Sequence, residues 1–488
     1  MDVKRAFWVF AISLTVRLLF FFAADRDVSE MYANPDCREY LQYGRNLANH
    51  AIFSLEEAPP LSLSAYRAPL YPLLVAAAIK ISPEESVAVE SVVLLQIVLS
   101  AVTASLTSFL AYHLLKNVQW AMWAGLATGF DPQAILITFS LWTETVFSFL
   151  LVFAMLFLFE HFEIGKPLTG SLIVSALALG CSILCNPKTE LLTFLAVPLV
   201  LLLDKRFSIR ARVAQSIMPF CGICLLLSFP WLLRNYTKLG LCDLTVLGPY
   251  NKLRAAAGLM VTRQSKDAFH SVEWKPEFSR LGRSYAEELS RAQGVAVTLA
   301  PDPNWLVVYP DYLTGEYCRF ISGKASRVIV QNFDLYLRHS TDTLLRVLFA
   351  FNKDAPFNIL NIPPSKERLS DLPRSLIAGD WRLFLKQSRK FQFLDYLGFV
   401  WSGTMVFLLD VLAILGLGYL AKRRELKAFL VILSLIGSLI VVTAFVVLFS
   451  GTIARFRVPA VPYLSLLAIL TIQEITRQIR SQRGIALP

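Results

Sequence analysis

Apolar residues along this chain come in runs of eighteen or more, the length a helix needs to cross the roughly 30 Å of hydrocarbon in a bilayer. A soluble chain of this size would instead distribute them among roughly two to four cores separated by polar stretches. Ten runs are placed as membrane spans: 5–24, 90–115, 119–138, 141–160, 168–186, 190–204, 213–234, 394–420, 427–449 and 457–474. The stretch 67–81 is apolar but short and begins with two prolines, which fits a re-entrant or juxtamembrane helix. The expected fold is therefore an all-α polytopic membrane protein.

Charge then sets the orientation, because cytoplasmic loops carry the excess of Lys and Arg. With the N-terminus inside, the inner segments hold Lys4 and Arg5; Lys116; Lys166; Lys205, Arg206, Arg210 and Arg212; Lys422, Arg423, Arg424 and Lys427; and Arg477, Arg480 and Arg483. The short outer turns are nearly free of cations, with Lys188, Arg455 and Arg457 as the exceptions. Both termini are expected in the cytoplasm of a multi-pass inner (plasma) membrane protein. The domains follow: a seven-span module over 1–234 with a first outer loop at 25–87, a large extracytoplasmic region over 235–393, and a three-span module over 394–488 with a short cytoplasmic tail. The large region reads as mostly helical, as in FSRLGRSYAEELSRAQG and SRVIVQNFDLYLRHSTDTLLRVL.

Composition agrees with this picture. The 488 residues are 55% hydrophobic, with a mean hydropathy of +0.54. A net charge of +11 would suit nucleic acid in a polar chain, but in one this apolar it marks loops facing anionic lipid; no nucleic-acid partner is expected. The seven cysteines show no paired CxxC pattern and the five histidines no HxxxH or HExxH spacing, so no His metal site is expected. The apolar run after Lys4 and Arg5 is long for a signal peptide and is read as a retained first span.

Ionisable residues at membrane depth are expensive and mark function, and here they gather on the outer side. Asp36, Arg38, Glu39 and Tyr40 lie in the first outer loop, with Tyr66, Arg67 and Tyr71 at its return. Asp131 and Glu144 lie at the outer ends of the third and fourth spans, Asn186, Lys188 and Glu190 in the next outer turn, Arg234 at the end of the seventh, and Arg455 and Arg457 before the tenth. Plainer readings stay open for several of these. Glu144 and Asp131 suit helix caps, Lys188 and Arg234 suit snorkelling to headgroups, and one of Arg455 and Arg457 suits an interface anchor. Asp36 follows Pro35 and shares a helix face with Tyr40, four residues on.

The segments NPDCREYLQYGRNLA and SAYRAPLYPLLVA resemble the first outer loop of the GT-C glycosyltransferases, in the branch of bacterial relatives of protein O-mannosyltransferases and aminoarabinose transferases. SLWTETVFSFLLVFA, CNPKTELL, FPWLLRNYTKLG and ARFRVPAVPYLSLLAI resemble later family segments in the same order, so the likeness covers about 1–260 and 394–475. It implies a GT-C-like fold and an inverting transfer of a monosaccharide from a polyprenyl-phosphate donor to a glycolipid, glycan or protein acceptor. Asp36 matches the family's catalytic carboxylate and would be the general base. Arg234 first, then Arg67 and Lys188, then Arg455 or Arg457 would neutralise the lipid phosphate. Tyr40, Glu39, Tyr66, Glu144 and Asp131 would position sugar and acceptor. Close relatives often carry Asp-Glu at the catalytic position, whereas here Cys37 follows Asp36 and Glu39 comes three residues later. No Asp-x-Asp motif stands in the first outer loop, so no cofactor is expected and a divalent metal is not favoured. Two other classes compete: a polysaccharide polymerase or O-antigen-ligase-type enzyme working through Arg338 and His339, and a lipid-linked sugar flippase or transporter, which the absence of half-to-half symmetry disfavours.

Overall fold

The computed structural model describes residues 1–23, 35–82, 84–264, 274–294, 314–349, 393–422, 426–441 and 454–482, with short pieces at 298–299, 307–308, 443 and 445. The start of the loop after the first span, the stretch 350–392, Arg423, Arg424, most of the second half of the expected span 427–449, and Arg483 lie outside the described residues. Six helices are long and apolar enough to cross a membrane by length and composition: Val3–Ala23, Glu85–Leu115, Glu144–Ile164, Ile209–Leu239, Thr404–Lys422 and Arg455–Gln482. These correspond to six of the ten expected spans and make the protein a multi-pass membrane protein.

In chain order the helices are α1 (Val3–Ala23), α2 (Pro35–His50), α3 (Leu70–Ile81), α4 (Glu85–Leu115), α5 (Val118–Gly129), α6 (Pro132–Leu136), α7 (Glu144–Ile164) and α8 (Gly170–Cys185). Then come α9 (Val197–Leu202), α10 (Ile209–Leu239), α11 (Leu247–Gln264), α12 (Trp274–Gln293), α13 (Thr314–Gln331), α14 (Phe333–Phe349), α15 (Phe393–Lys422), α16 (Leu426–Ile436) and α17 (Val461–Gln482). The remaining expected spans are shorter or interrupted. The one at 119–138 breaks after α5, because Pro132 has no N–H to continue the ladder and the Asp131 carboxylate accepts from the Ala134 amide at 2.9 Å, capping a new short helix. The one at 190–204 is the π turn Leu192–Ala196 followed by the six residues of α9. The one at 427–449 runs from α16 into the π turn Gly437–Val441, and the one at 168–186 is the 16-residue α8, opened by Thr169. The short apolar stretch before 81 is indeed the 12-residue α3, about 18 Å long and too short to span.

The bundle is held by α15 along α17, α4 along α1, α5 and α7, and α8 along α7 and α10. Small residues set its closest approaches. A Cβ on Gly416 would lie 2.2 Å from the Leu467 carbonyl oxygen, and one on Gly125 would lie 2.7 Å from that of Ala104. The two ends of the bundle differ in chemistry. At the C-terminal end of α7, Lys116 meets Glu163 at 2.6 Å and Arg206 donates to the Phe162 carbonyl at 2.8 Å. At its N-terminal end, one helix length of about 31 Å away, stands Glu144.

Helices α11 to α14 bear out the helical reading of the large polar region where it is described, together with one antiparallel pair, Thr298–Leu299 with Val307–Val308. Its first three helices build a separate apolar core from Tyr250, Leu253, Phe278, Leu281, Tyr317 and Ile321. That core reaches into the first loop through Ala65 and Tyr66, and the Val246 amide donates to the Ala65 carbonyl at 2.9 Å. This second core and the loop bearing Arg67 are thus one packed unit.

Replacing Gly416 by Val should lower the thermal midpoint in detergent, by about 1–3 kcal/mol of stability, through overpacking against α17. Gly418, where an added Cβ would meet open space, should become more stable as Ala by about 0.5–1 kcal/mol. Equal effects from the two would contradict this packing.

Candidate functional site

Proline begins α2 well, since its fixed φ suits the first turn and its missing N–H is not needed there. This puts Asp36 at the positive end of the helix and turns Asp36, Glu39 and Tyr40 toward one side. The chain then returns across α2 as a loop pinned by Asn46, whose side-chain amide donates to the carbonyls of Ser54 and Glu56 at 2.9 Å each. Tyr43 and Ser64 share a 2.6 Å hydrogen bond farther along. Arg67 closes the loop. Its guanidinium bonds Asp36 Oδ1 at 2.5 Å and Glu39 Oε2 at 2.8 Å through Nε, and lies 5.0 Å from the ring centres of both Tyr40 and Tyr66.

The second half of the site comes from the far end of the sequence. Arg455 bonds the other carboxylate oxygen of Asp36 through Nη1, and its Nε stands 3.7 Å from Glu144. Its guanidinium carbon lies 4.7 Å from the Trp142 ring centre and 4.9 Å from that of Phe456. Lys188 covers Phe456 too, with its ammonium 3.9 Å from the ring centre. Asp36 therefore bridges two arginines, one from the first loop and one from the entrance to α17.

Burial pushes the Asp36 carboxyl up, but Arg67 and Arg455 more than offset it and hold it below the usual carboxylate range. For Glu39 burial wins, and its carboxyl stays raised even with Arg67 in contact. Burial works against the charge on Arg67, yet Glu39, Tyr40 and Asp36 keep that guanidinium firmly protonated. Lys188 has fewer anions near it, and burial brings its ammonium down to about 8. Burial likewise pushes the Cys37 thiol up to about 12, so the cysteine beside Asp36 is a neutral packing residue and no nucleophile at neutral pH.

Of the residues expected from the sequence, the structure brings together Asp36, Glu39, Tyr40, Tyr66, Arg67, Glu144, Lys188 and Arg455. Arg234 is one step removed. It donates to the Ser64 carbonyl at 2.7 Å and lies 4.6 Å over the Trp231 ring, so it braces the loop that carries Arg67. Arg457 and Asp131 are elsewhere. Arg457 bonds Asp131 at 2.9 Å and Asp410 at 2.8 Å, with all three side chains sealed from solvent. Arg457 and Asp131 were both expected among the phosphate- and sugar-facing residues; here they are committed to each other and, for Arg457, to Asp410. The Arg338–His339 pair is divided, with Arg338 exposed and His339 buried.

One cation at this site has no counterpart among those expectations. Arg254 lies one turn beyond Tyr250 on α11, and Tyr250 meets the Tyr66 ring at 6.3 Å between centres. Its charge acts on Tyr66, Asp36, Arg67 and Arg455, while burial lowers its own pKa. The four-residue step from Tyr250 was the available signal, hidden inside a region read only as helical. Among the described residues, no three His, Cys, Asp or Glu side chains gather as a metal site would require.

No protein-family model matches the chain, and no curated protein is significantly similar to it in sequence. In structure it is similar to the oligosaccharyltransferase of Archaeoglobus fulgidus tethered to an acceptor peptide, at 10% identity and a TM-score of 0.46 over 99% of this chain and 51% of that one. It is similar to the same organism's enzyme in complex with an inhibitory peptide and a dolichol-phosphate, at 11% identity and 0.47 over 99% and 52%. A third likeness is to ArnT from Cupriavidus metallidurans bound to undecaprenyl phosphate, at 10% identity and 0.33 over 98% and 79%. The chain spans about half the length of the archaeal oligosaccharyltransferases it matches.

Arg67→Gln should cost about 3 kcal/mol of stability at pH 8, because it strands the mostly buried Glu39 carboxylate and leaves Asp36 with Arg455 alone. Glu39 has a raised pKa in the fold, so its protonation favours the folded state as pH falls, and more so once Arg67 is gone. The deficit of the variant should therefore shrink toward pH 5. Thermal midpoints of both proteins across that range check this, and a deficit constant with pH would refute it.

Proposed function

We propose that the chain is an integral-membrane inverting glycosyltransferase that takes a monosaccharide from a polyprenyl-phosphate donor and transfers it on the extracytoplasmic face. The acceptor is a hydroxyl of a glycolipid, glycan or protein, and both termini face the cytoplasm, in keeping with the distribution of Lys and Arg. The observation that carries this reading is the double bridge of one carboxylate, Asp36, by Arg67 and Arg455. An acid held between two guanidinium groups, with Lys188 behind an aromatic partition, suits a reaction in which a phosphate leaves and a hydroxyl loses its proton.

In this scheme the donor phosphate competes with Asp36 for the guanidinium groups, which prefer bidentate oxyanion partners. Drawing them off releases lone pairs on Asp36 that are engaged in the free protein. Asp36 then accepts the acceptor hydroxyl's proton while that oxygen attacks the anomeric carbon. The bond from that carbon to the phosphate oxygen breaks on the opposite face, configuration inverts, and polyprenyl phosphate leaves with its new charge met by Arg67, Arg455 and Lys188. Glu39 and Glu144 orient the two arginines, and Tyr40 and Tyr66 line the sugar side. Arg234 acts on the donor through the loop it braces. The reading needs no divalent cation, because the leaving group's charge is met by side chains.

The test is genetic and chemical. A strain lacking the gene should be missing one sugar from an outer-surface glycan or glycolipid by mass analysis. The wild-type gene should restore it and Asp36→Asn should not, although the variant protein reaches the membrane in normal amount; restoration by Asp36→Asn would sink the assignment. A strain that instead accumulates lipid-linked sugar on the cytoplasmic side would favour the flippase.

Lys188, at about 8, is charged below that pH and neutral above it. Binding of undecaprenyl phosphate to purified protein should weaken as pH rises past about 8, whereas Lys188→Arg should hold its affinity through that range. Parallel pH profiles for the two proteins would remove Lys188 from the phosphate site.

A further inference from the structure

The entrance to α17 is a seven-residue 3₁₀ segment, Ala454–Ala460, containing Pro459. Such runs seldom exceed three or four residues, because their hydrogen bonds are poorly aligned, so side chains must hold one this long. With about three residues per turn, three consecutive side chains leave it in three directions. Arg455 goes to Asp36 and Glu144. Phe456 stands between Arg455 and Lys188. Arg457 turns into the bundle, where its Nε and Nη2 grip Asp410 at 2.8–3.3 Å and its Nη1 bonds Asp131 at 2.9 Å.

The two anchors belong to different parts of the chain. Asp410 lies within α15, and Asp131 occupies the break between α5 and α6, with its other oxygen committed to the Ala134 amide. Arg457 is thus fixed at three donor atoms by two rigid elements. A planar guanidinium held in this way has little freedom to rotate or translate. Arg455 is joined to it by two backbone steps on a segment with weak hydrogen bonding of its own.

We infer that Asp131 and Asp410, through Arg457, are positioning residues that hold Arg455 on Asp36 and set the geometry of the phosphate site. This rests on the reading of Asp36 and Arg455 as site residues given above. It assigns Asp410, remote from the first loop and within a span, a role in the site's geometry, and gives Asp131 that role in place of sugar contact. Misplacement of a charged group by about 1 Å costs as much as about a hundredfold in well-organised sites.

A double-mutant cycle tests it on the full-length protein in nanodiscs, with undecaprenyl phosphate as the probe. Asp410→Asn should weaken binding about tenfold when Arg455 is present and less than about twofold in an Arg455→Gln background. A purely structural role predicts the same factor in both backgrounds, and that result would overturn the inference. Should Asp410→Asn fail to accumulate, Arg457→Lys carries the same cycle, since it keeps the charge and loses the fork. If the wild-type protein binds no undecaprenyl phosphate, the donor reading has failed, and the cycle is read on ligand-free thermal midpoints. There a smaller effect of Asp410→Asn without Arg455 supports the inference, and strict additivity refutes it.

Discussion

Taking an ionised side chain out of water costs several kcal/mol, which is recovered only where an opposite charge and complete hydrogen bonding meet it. Much of the polar architecture of this bundle follows from that constraint. Arg17, sealed within α1, donates to Ser100 and to the carbonyls of Ser13 and Gly129. Arg457 draws in two aspartates, and Asp36 draws in two arginines. Each knot joins segments distant in sequence, so the demand of a buried charge for acceptors or counter-charges also decides which helices lie together. Between the knots, small residues such as Gly125 and Gly416 allow the close contacts that bring the charges within reach.

The Asp36 cluster differs from the inner, fully buried triad of Arg457, Asp131 and Asp410 in having aromatic walls. Tyr40 and Tyr66 flank Arg67, and Trp142 and Phe456 flank Arg455. A guanidinium is weakly hydrated and stacks on rings at little cost, so these walls exclude water without displacing the cations. Electrostatic attraction inside such a frame is stronger than at an open surface. The cluster is nevertheless only partly covered, with the Asp36 side chain retaining 21% of its exposure. The inner triad, at 0%, has no such opening. One arrangement is open to solvent and the other is closed.

The apolar runs made the long helices and the membrane assignment legible, since length and composition are one-dimensional properties. The clustering of acids and bases toward one end was also readable, and it led to Asp36, Glu39, Arg67, Glu144, Lys188 and Arg455. Direction around the axis was not. Arg455 and Arg457 sit two residues apart at nearly the same depth, yet a 3₁₀ segment sends them to different knots. Asp410 lay unremarked in an apolar run because its partner is 47 residues away. The break at Asp131–Pro132 was written in the sequence by a capping carboxylate before a proline, and the surrounding hydrophobicity masked it. Arg254 belongs to a helix whose docking on Ala65 and Tyr66 is a tertiary fact.

The Arg457–Asp131 contact spans 326 residues. At about 5–20 residues per second, a ribosome needs on the order of tens of seconds to make that length of chain. For most of that interval neither Asp410 nor Arg457, the groups that complete its knot, has been made, and Asp410 precedes Arg457 by 47 residues. Arg17, already synthesised and electrostatically coupled to Asp131, is a buried cation of the finished network that is on hand from the start. The first helix thus holds a cation near Asp131 that precedes its permanent partner in the chain, and the triad ties the early part of the sequence to its last part.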